Sequence, residues 1–309
     1  PLPEILRLEE NLAKADGSLA WTVTLCSGAA WFSGFLDKNL AKEIFANPKT
    51  CFAGSGAVSG TAMKTENGYQ INGVWKYASG ALHATIFTAN CTIVNGDNSP
   101  VLAENGEELV KSFILKKEEV EILSEWAYFG LIATGSHAFK VNNLQIPFNR
   151  EFKINGELQV DIPLLNYPFL QLAETTLAVN YSGMALHFAE LVDDYFYTRS
   201  GIKRYTAEQI KYFEKEVSDL KLNFQQVRSN FFNSVDLSWK EFSETGLCKQ
   251  ETLNSISKNS RILAHTAIKM ADTLYPYCGL EAAKKASELN RVWRDLHTAS
   301  QHSLLTFDF

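Results

Sequence analysis

Arg291, Asp295, Thr298 and His302 follow one another at intervals of four, three and four residues. On a helix that spacing lines a guanidinium, a carboxylate, a hydroxyl and an imidazole along one face. Arg294, beside Asp295, adds a second cation. Two readings fit. A solvated face of i,i+4 ion pairs would contribute only about 0.2–0.5 kcal/mol per pair. Trp293, Leu296, Leu304 and Leu305 instead describe a helix that packs. Polar groups beside packed surface can line a cleft, where an imidazole could move a proton near neutral pH.

Other local patterns carry less chemistry. Gly54-Ser55-Gly56-Ala57-Val58-Ser59-Gly60 has Ser59 where GxGxxG needs its last glycine, lacks the GK[ST] ending of a phosphate loop, and is followed by no helical pattern. It reads as a glycine-rich turn or as a loop lining a cofactor. No GxSxG elbow occurs. Ser136 and His137 are sequence neighbours, which on a strand would face opposite sides. Cys26, Cys51, Cys91, Cys248 and Cys278 are scattered without CxxC spacing, so no structural zinc site is expected and free thiols in a reducing cytoplasm are. His297 and His302, five apart, would point to different helix faces, which disfavours a shared metal.

The elements that must position these residues change character twice along the 309 residues. Residues 1–48 read as helices. Pro3 opens the first, Ser18 is an expected N-cap of a very apolar second running to about Leu36, and Asp37 caps a third over Lys38–Ala46. Residues 49–160 read as short strands. Glu66-Asn67-Gly68 marks a hairpin between Thr61–Thr65 and Tyr69–Asn72, Asn72-Gly73 is a second turn signal, and Asn155-Gly156 sits between Phe152–Ile154 and Leu158–Val160. Strand spacing of this kind suggests an antiparallel barrel or sandwich. Residues 161–309 return to helix over Leu164–Tyr197, Ala207–Phe242, Thr252–Leu274 and Glu281–Leu305, with breaks at Ser200-Gly201, Thr245-Gly246 and Pro276/Gly279; four such helices imply an antiparallel bundle. The fold class expected is thus α+β and mostly helical, in three domains: 1–48, 49–160 and 161–309.

Composition bounds the function. Apolar residues make up 46% and charged residues 21%, which excludes a disordered or fibrous chain. A net charge of −6 argues against a general nucleic-acid partner. The longest apolar run, near Ala29–Leu36, is interrupted by Ser33, and no stretch reaches the roughly 18–20 residues of a membrane span. The sequence opens Pro-Leu-Pro, which suggests a trimmed start that could have removed a signal peptide.

Taken together, Gly60-Thr61-Ala62, the run Gly68-Tyr69-Gln70-Ile71-Asn72-Gly73-Val74-Trp75-Lys76-Tyr77-Ala78-Ser79-Gly80, the pattern Trp126…Gly130…Thr134-Gly135-Ser136-His137, Gly279, and the block from Leu289 to His302 resemble the acyl-CoA dehydrogenase superfamily over nearly the whole chain. That resemblance implies an amino-terminal helical domain, a middle β domain and a carboxy-terminal four-helix bundle. The wording is more similar to the flavin-dependent monooxygenase branch, whose members take reduced flavin from a separate reductase and hydroxylate aromatic or heterocyclic substrates. The catalytic glutamate of common dehydrogenases falls here on Ser303, and the branch's histidine falls on His302.

By the same resemblance Ser79 matches a serine near flavin N5, and Tyr77 takes the place of an aromatic residue against the ring. Phe52–Ser55 and Thr134–Ser136, with Phe52, Ser55, Thr134 and Ser136 as the named contacts, would line FAD or FMN. Gly279 lies where a neighbouring subunit's cofactor would approach in a homotetramer or homodimer. Oxygen chemistry on reduced flavin must be screened from water. There the Ser79 hydroxyl could hydrogen-bond at N5, and His302 could take a phenol proton or steer one.

The chain departs from the pattern at three places. It has no histidine between Ser18 and Leu36, it has Leu131-Ile132 before the Thr-Gly-Ser motif, and Arg199-Ser200-Gly201 matches a pyrophosphate-contacting segment imperfectly. Two rival readings stay open: a dehydrogenase with its base at Glu174, and a non-catalytic family member. The first helical region is short for this superfamily, which implies a trimmed chain or a variant with a more open site.

Overall fold

The computed structural model describes residues 1–203 and 205–307, so the last two residues of the segment expected over 161–309 lie outside the described residues. The chain divides into two compact units, each drawn from separate stretches. One comprises Pro1–Trp21, Tyr128–Ala133 and Tyr167–Phe309, the other Thr22–Ala127 and Thr134–Asn166.

In the first unit, α1 (Leu2–Ala15) starts on prolines, as expected, and buries Leu2, Leu6 and Ala13. It packs on α5 (Phe169–Lys203). Gly183 makes that approach possible, because a Cβ there would sit 2.3 Å from the Glu10 carbonyl oxygen. Glu10 itself is buried on this face, and its carboxylate accepts hydrogen bonds from Arg228 and Ser182. A buried charge needs such partners to be tolerated.

The remaining long helices are α6 (Ala207–Thr245) and α7 (Gln250–Leu274), followed by α8 (Leu280–Ala283) and α9 (Glu288–Ala299). Gly246 ends α6 in the left-handed conformation at φ 74°, where a glycine stop was expected. The expected break at Ser200-Gly201 does not occur, since α5 runs through it to Lys203. The expected helix Glu281–Leu305 is divided: α9 stops at Ala299, and Ser303–Leu305 forms a separate single turn.

The second unit holds most of α2 (Gly17–Trp31), whose cap is Asp16 rather than the expected Ser18: the Asp16 carboxylate accepts the Leu19 N–H at 2.9 Å. Asp37 caps α3 (Lys38–Phe45) through the N–H groups of Asn39 and Leu40, as expected. A short helix, α4 (Pro163–Asn166), closes the unit. Its sheet contains β1 (Phe52–Thr65), β2 (Gly68–Ala78), β3 (Ile86–Val94), β4 (Val110–Lys116), β5 (Glu121–Leu123), β6 (His137–Pro147) and β7 (Glu151–Phe152).

The strand order is β5-β6-β2-β1-β3-β4-β7. The sheet is mixed and open, which corrects the expected antiparallel barrel or sandwich: β1 pairs parallel with β3, and the sheet is not closed. Strand spacing reports how many strands there are, not how the sheet's edges meet.

The Asn67-Gly68 hairpin forms, pairing Thr65 with Gly68. Asn72-Gly73 does not turn. It lies inside β2 at a register shift against β6, where the Asn72 side-chain carbonyl accepts the Asn143 N–H at 2.7 Å. The glycine-rich stretch 54–60 is likewise strand, interrupted by two register shifts against β3. Gly60 makes room for Trp75, since a Cβ would lie 2.1 Å from the indole Cζ2. The indole is fully buried, stacks on Phe139 at 5.1 Å and donates to the Asn90 carbonyl at 2.9 Å. The expected hairpin at Asn155-Gly156 is absent: β7 has two residues, and the Gln159 N–H goes to the Gly34 carbonyl. Among the described residues no helix is long and apolar enough to cross a membrane.

Candidate active site

In the second unit, the end of β2 and the segment before β6 meet through hydroxyl groups. The Gly80 N–H donates to the Thr134 carbonyl at 2.9 Å, and Gly80 can adopt the required φ of 75° because it has no Cβ. This juxtaposes three buried hydroxyls: Thr134 and Ser136 at 2.6 Å, and Ser136 and Ser79 at 2.9 Å. Each hydroxyl can donate and accept, so the chain can present either a donor or an acceptor at its end. The Cys26 thiol contacts the Ser79 carbonyl at 3.6 Å. Burial, reinforced by the neighbouring Cys51, pushes the Cys26 pKa up to about 12, so it is a neutral thiol there.

Beside this chain, Tyr77 keeps a half-exposed ring, edge-on to Trp126 with centroids 5.6 Å apart. The Ser55 hydroxyl donates to the Lys76 carbonyl and so ties β1 to the Tyr77 segment. The Trp126 N–H donates to His137 Nδ1 at 3.1 Å, which leaves the neutral ring's proton on Nε2. Sequence reasoning thus named Ser55, Tyr77, Ser79, Thr134 and Ser136 from one neighbourhood. Phe52 sits at the start of β1 with its side chain buried and its ring stacked on Phe45 at 5.9 Å, so it offers packing rather than a polar contact.

His302 and Gly279 lie in the first unit. Because α9 has ended, His302 does not continue the face of Arg291, Asp295 and Thr298. Its Nδ1 accepts the Leu304 N–H at 3.4 Å, and its ring meets Trp21 edge-on at 6.0 Å. Burial lowers its pKa below the ordinary 6.5, so the ring is neutral at pH 7.

The Arg-Asp part of the motif has a structural task instead. Asp295 Oδ1 accepts the Leu131 N–H at 2.5 Å, Arg291 bridges to Asp16 at 2.8 Å, and Arg294 donates to the Phe129 carbonyl. Burial raises the Asp295 pKa, opposed by the Leu131 N–H and by Arg291. This α9 face is therefore more than a solvated row of ion pairs. It holds segment 128–133 and the α1–α2 junction.

Gly279, at φ 58°, lies under Arg199: a Cβ would come within 1.9 Å of the guanidinium, which donates to the Tyr277 carbonyl at 3.3 Å. Glu174, the candidate base of the dehydrogenase reading, is fully buried and paired with Arg261 at 2.7 Å. Sequence reasoning did not single out Trp21 or Tyr181, because both fall in apolar helical stripes where an aromatic reads as packing.

Residues 175–307 match the family described as acyl-CoA dehydrogenase, C-terminal domain. The acyl-CoA dehydrogenase-like likeness extends further. The chain is 24% identical to indole-3-acetate monooxygenase of Pseudomonas putida over 96% of its own length and 74% of that protein's. It is 23% identical to the flavin-dependent monooxygenase oxygenase subunit HsaA of Mycobacterium tuberculosis, over 95% of its length and 75% of that protein's. The crystal structure of the Mycobacterium tuberculosis HsaA monooxygenase superposes with a TM-score of 0.85 at 19% identity, covering 98% of this chain and 80% of that one. XiaF from a Streptomyces species, solved with FADH2 and glycerol, superposes with a TM-score of 0.86 at 20% identity over 99% and 78% of the two chains. The fold is that of the acyl-CoA dehydrogenase-like monooxygenases, as the motif resemblance implied.

Proposed function

We propose that this chain is the oxygenase component of a two-component flavin monooxygenase that hydroxylates a small aromatic or heterocyclic substrate. The observation that carries the reading is the buried chain Thr134–Ser136–Ser79 beside the half-exposed Tyr77 ring. An aromatic face next to a hydrogen-bonding hydroxyl suits the ring and ring nitrogens of a flavin. Tyr77 would lie against the ring, Ser79 would bond a ring nitrogen with Ser136 and Thr134 behind it, and Ser55 would help line the site. When bound, reduced FAD or FMN supplies the electrons that activate oxygen.

The protein's own part concerns protons. With Nδ1 accepting from Leu304, neutral His302 carries its proton on Nε2. It therefore acts by offering an N–H to a substrate or oxygen atom, rather than as a base at that nitrogen. The kinship with named monooxygenases supports the reading, as does the absence of a dehydrogenase carboxylate at Ser303 and the engagement of Glu174 by Arg261. A separate reductase would deliver the flavin. The free thiols of Cys26, Cys51, Cys91, Cys248 and Cys278 favour a cytoplasmic setting. Gly279 would approach a neighbour's cofactor in a homotetramer or homodimer.

The test mixes the protein, reduced FMN or FAD, and a panel of phenols and indoles with 18O2. We expect 18O in a hydroxylated product, with Ser79→Ala releasing more peroxide per flavin oxidised and His302→Ala lowering hydroxylation. Oxidation of reduced flavin at the rate seen in buffer, with no labelled product across the panel, sinks the reading. Reduction of bound FAD by an acyl-CoA, abolished by Glu174→Gln, would favour dehydrogenation instead.

A further inference from the structure

We propose that Tyr181 and His265 are positioning residues that hold the turn carrying His302. The Ala299 carbonyl, at the end of α9, accepts two hydrogen bonds: the buried Tyr181 hydroxyl at 2.5 Å and the His302 backbone N–H at 3.0 Å. Three residues after His302, the Leu305 carbonyl receives His265 Nε2 at 2.7 Å. A carbonyl only accepts, so that nitrogen of His265 bears the proton. The segment leaving α9 is thus fastened on both sides of His302 by side chains of different helices, Tyr181 from α5 and His265 from α7.

Between the two fasteners the turn closes on itself. The Leu305 N–H reaches the His302 carbonyl at 3.3 Å, and the Thr306 hydroxyl reaches the same carbonyl at 3.0 Å. Trp21, nearly fully buried, lies edge-on to the imidazole and leans on Tyr181 at 6.5 Å, so one aromatic group backs both the ring and its fastener. A helix end followed by a free turn would spread His302 over several positions, and ordering it at the moment of reaction would slow the chemistry. Fastening removes that spread beforehand. What His302 is positioned to do rests on the oxygenase reading, whereas where it is held does not.

The experiment follows the His302 ring by NMR of histidine-labelled protein, alongside steady-state hydroxylation with 18O2. Tyr181→Phe removes one hydroxyl and keeps the ring. We expect it to move the His302 ring signals and to lower kcat about tenfold with KM within about twofold, the pattern of a misplaced reacting group. His265→Ala should do the same, and His265→Gln, which keeps an N–H donor, should restore both.

His302 signals unmoved in Tyr181→Phe and His265→Ala, whether or not kcat falls, would overturn the proposal. Wild-type protein that hydroxylates nothing, but whose His302 signals move in both variants, would overturn the oxygenase reading while the positioning role stands. Should His265→Ala fail to fold, Tyr181→Phe and His265→Gln decide the matter.

Discussion

His302 is a histidine whose surroundings favour the neutral ring, because burial lowers its pKa. The sign of the stability effect follows. Below its ordinary pKa of about 6.5 the unfolded chain binds a proton that the folded chain resists, so stability rises with pH across that window. The contribution is complete above the ordinary pKa and is lost as pH falls through the window beneath it. Replacing His302 with Gln should therefore flatten the difference in urea stability between pH 7.5 and pH 5.5 relative to wild type. An unchanged difference would mean that the ring is solvated in the folded protein. The same neutrality matters for chemistry, since a ring that kept a charge at pH 7 could not accept the Leu304 N–H at Nδ1. The sequence pointed to His302 but placed it wrongly, on the face of a helix that ends three residues too soon. Helical periodicity continues smoothly through Leu304 and Leu305, and nothing local marks the stop, which Tyr181 helps fix from 118 residues away.

At the scale of elements, the Arg-Asp block is legible as a motif and illegible as a task. Asp295 reaches Leu131 across 164 residues, a pairing no local pattern encodes. Gly130 tests what that contact is for. A Cβ there would lie 2.1 Å from the Arg294 carbonyl oxygen, which is helix backbone and cannot swing aside. Gly130→Ala should therefore push segment 128–133 off α9 and strip Asp295 of its N–H donor, leaving a buried carboxylate short of a partner. The expected loss is about 2–4 kcal/mol, the size of an overpacked contact plus an unsatisfied buried polar group. Chemical denaturation measures it, and a loss under about 0.5 kcal/mol would show that the segment is loosely held. The strands divide similarly. The Asn67-Gly68 hairpin was readable because turn chemistry is local. The parallel pairing of β1 with β3 was not, and Asn72-Gly73 misled because a bulge draws on the same residue types as a turn.

At the scale of the whole molecule, the four bundle helices read from periodicity do not make up the unit they belong to. That unit also takes in Pro1–Trp21 and Tyr128–Ala133. Their role there is specific. Leu2, Leu6 and Ala13 of α1 are fully buried, Gly183 is the bare spot on α5 against which α1 lies, and Glu10 is the partner of Arg228 and Ser182. A fragment of residues 167–309 would expose to water the α5 face that α1 covers, lose the Glu10 carboxylate, and leave Asp295 without Leu131. Each helix keeps its own hydrogen bonds, so helicity should survive, while the side-chain packing that fixes one arrangement should not. The fragment is expected to show a helical far-UV spectrum, weak near-UV signal, ANS binding and a broad thermal transition. A sharp cooperative melt at the full chain's temperature, without ANS binding, would mean that the bundle stands alone and that α1 merely rests on it. The intermediate outcome is informative as well. If adding residues 1–21 as a separate peptide sharpens the melt, the packing of α1 on α5 is the decisive contact. If it does not, the clasp between Leu131 and Asp295 is needed too, and it can be restored only by supplying segment 128–133.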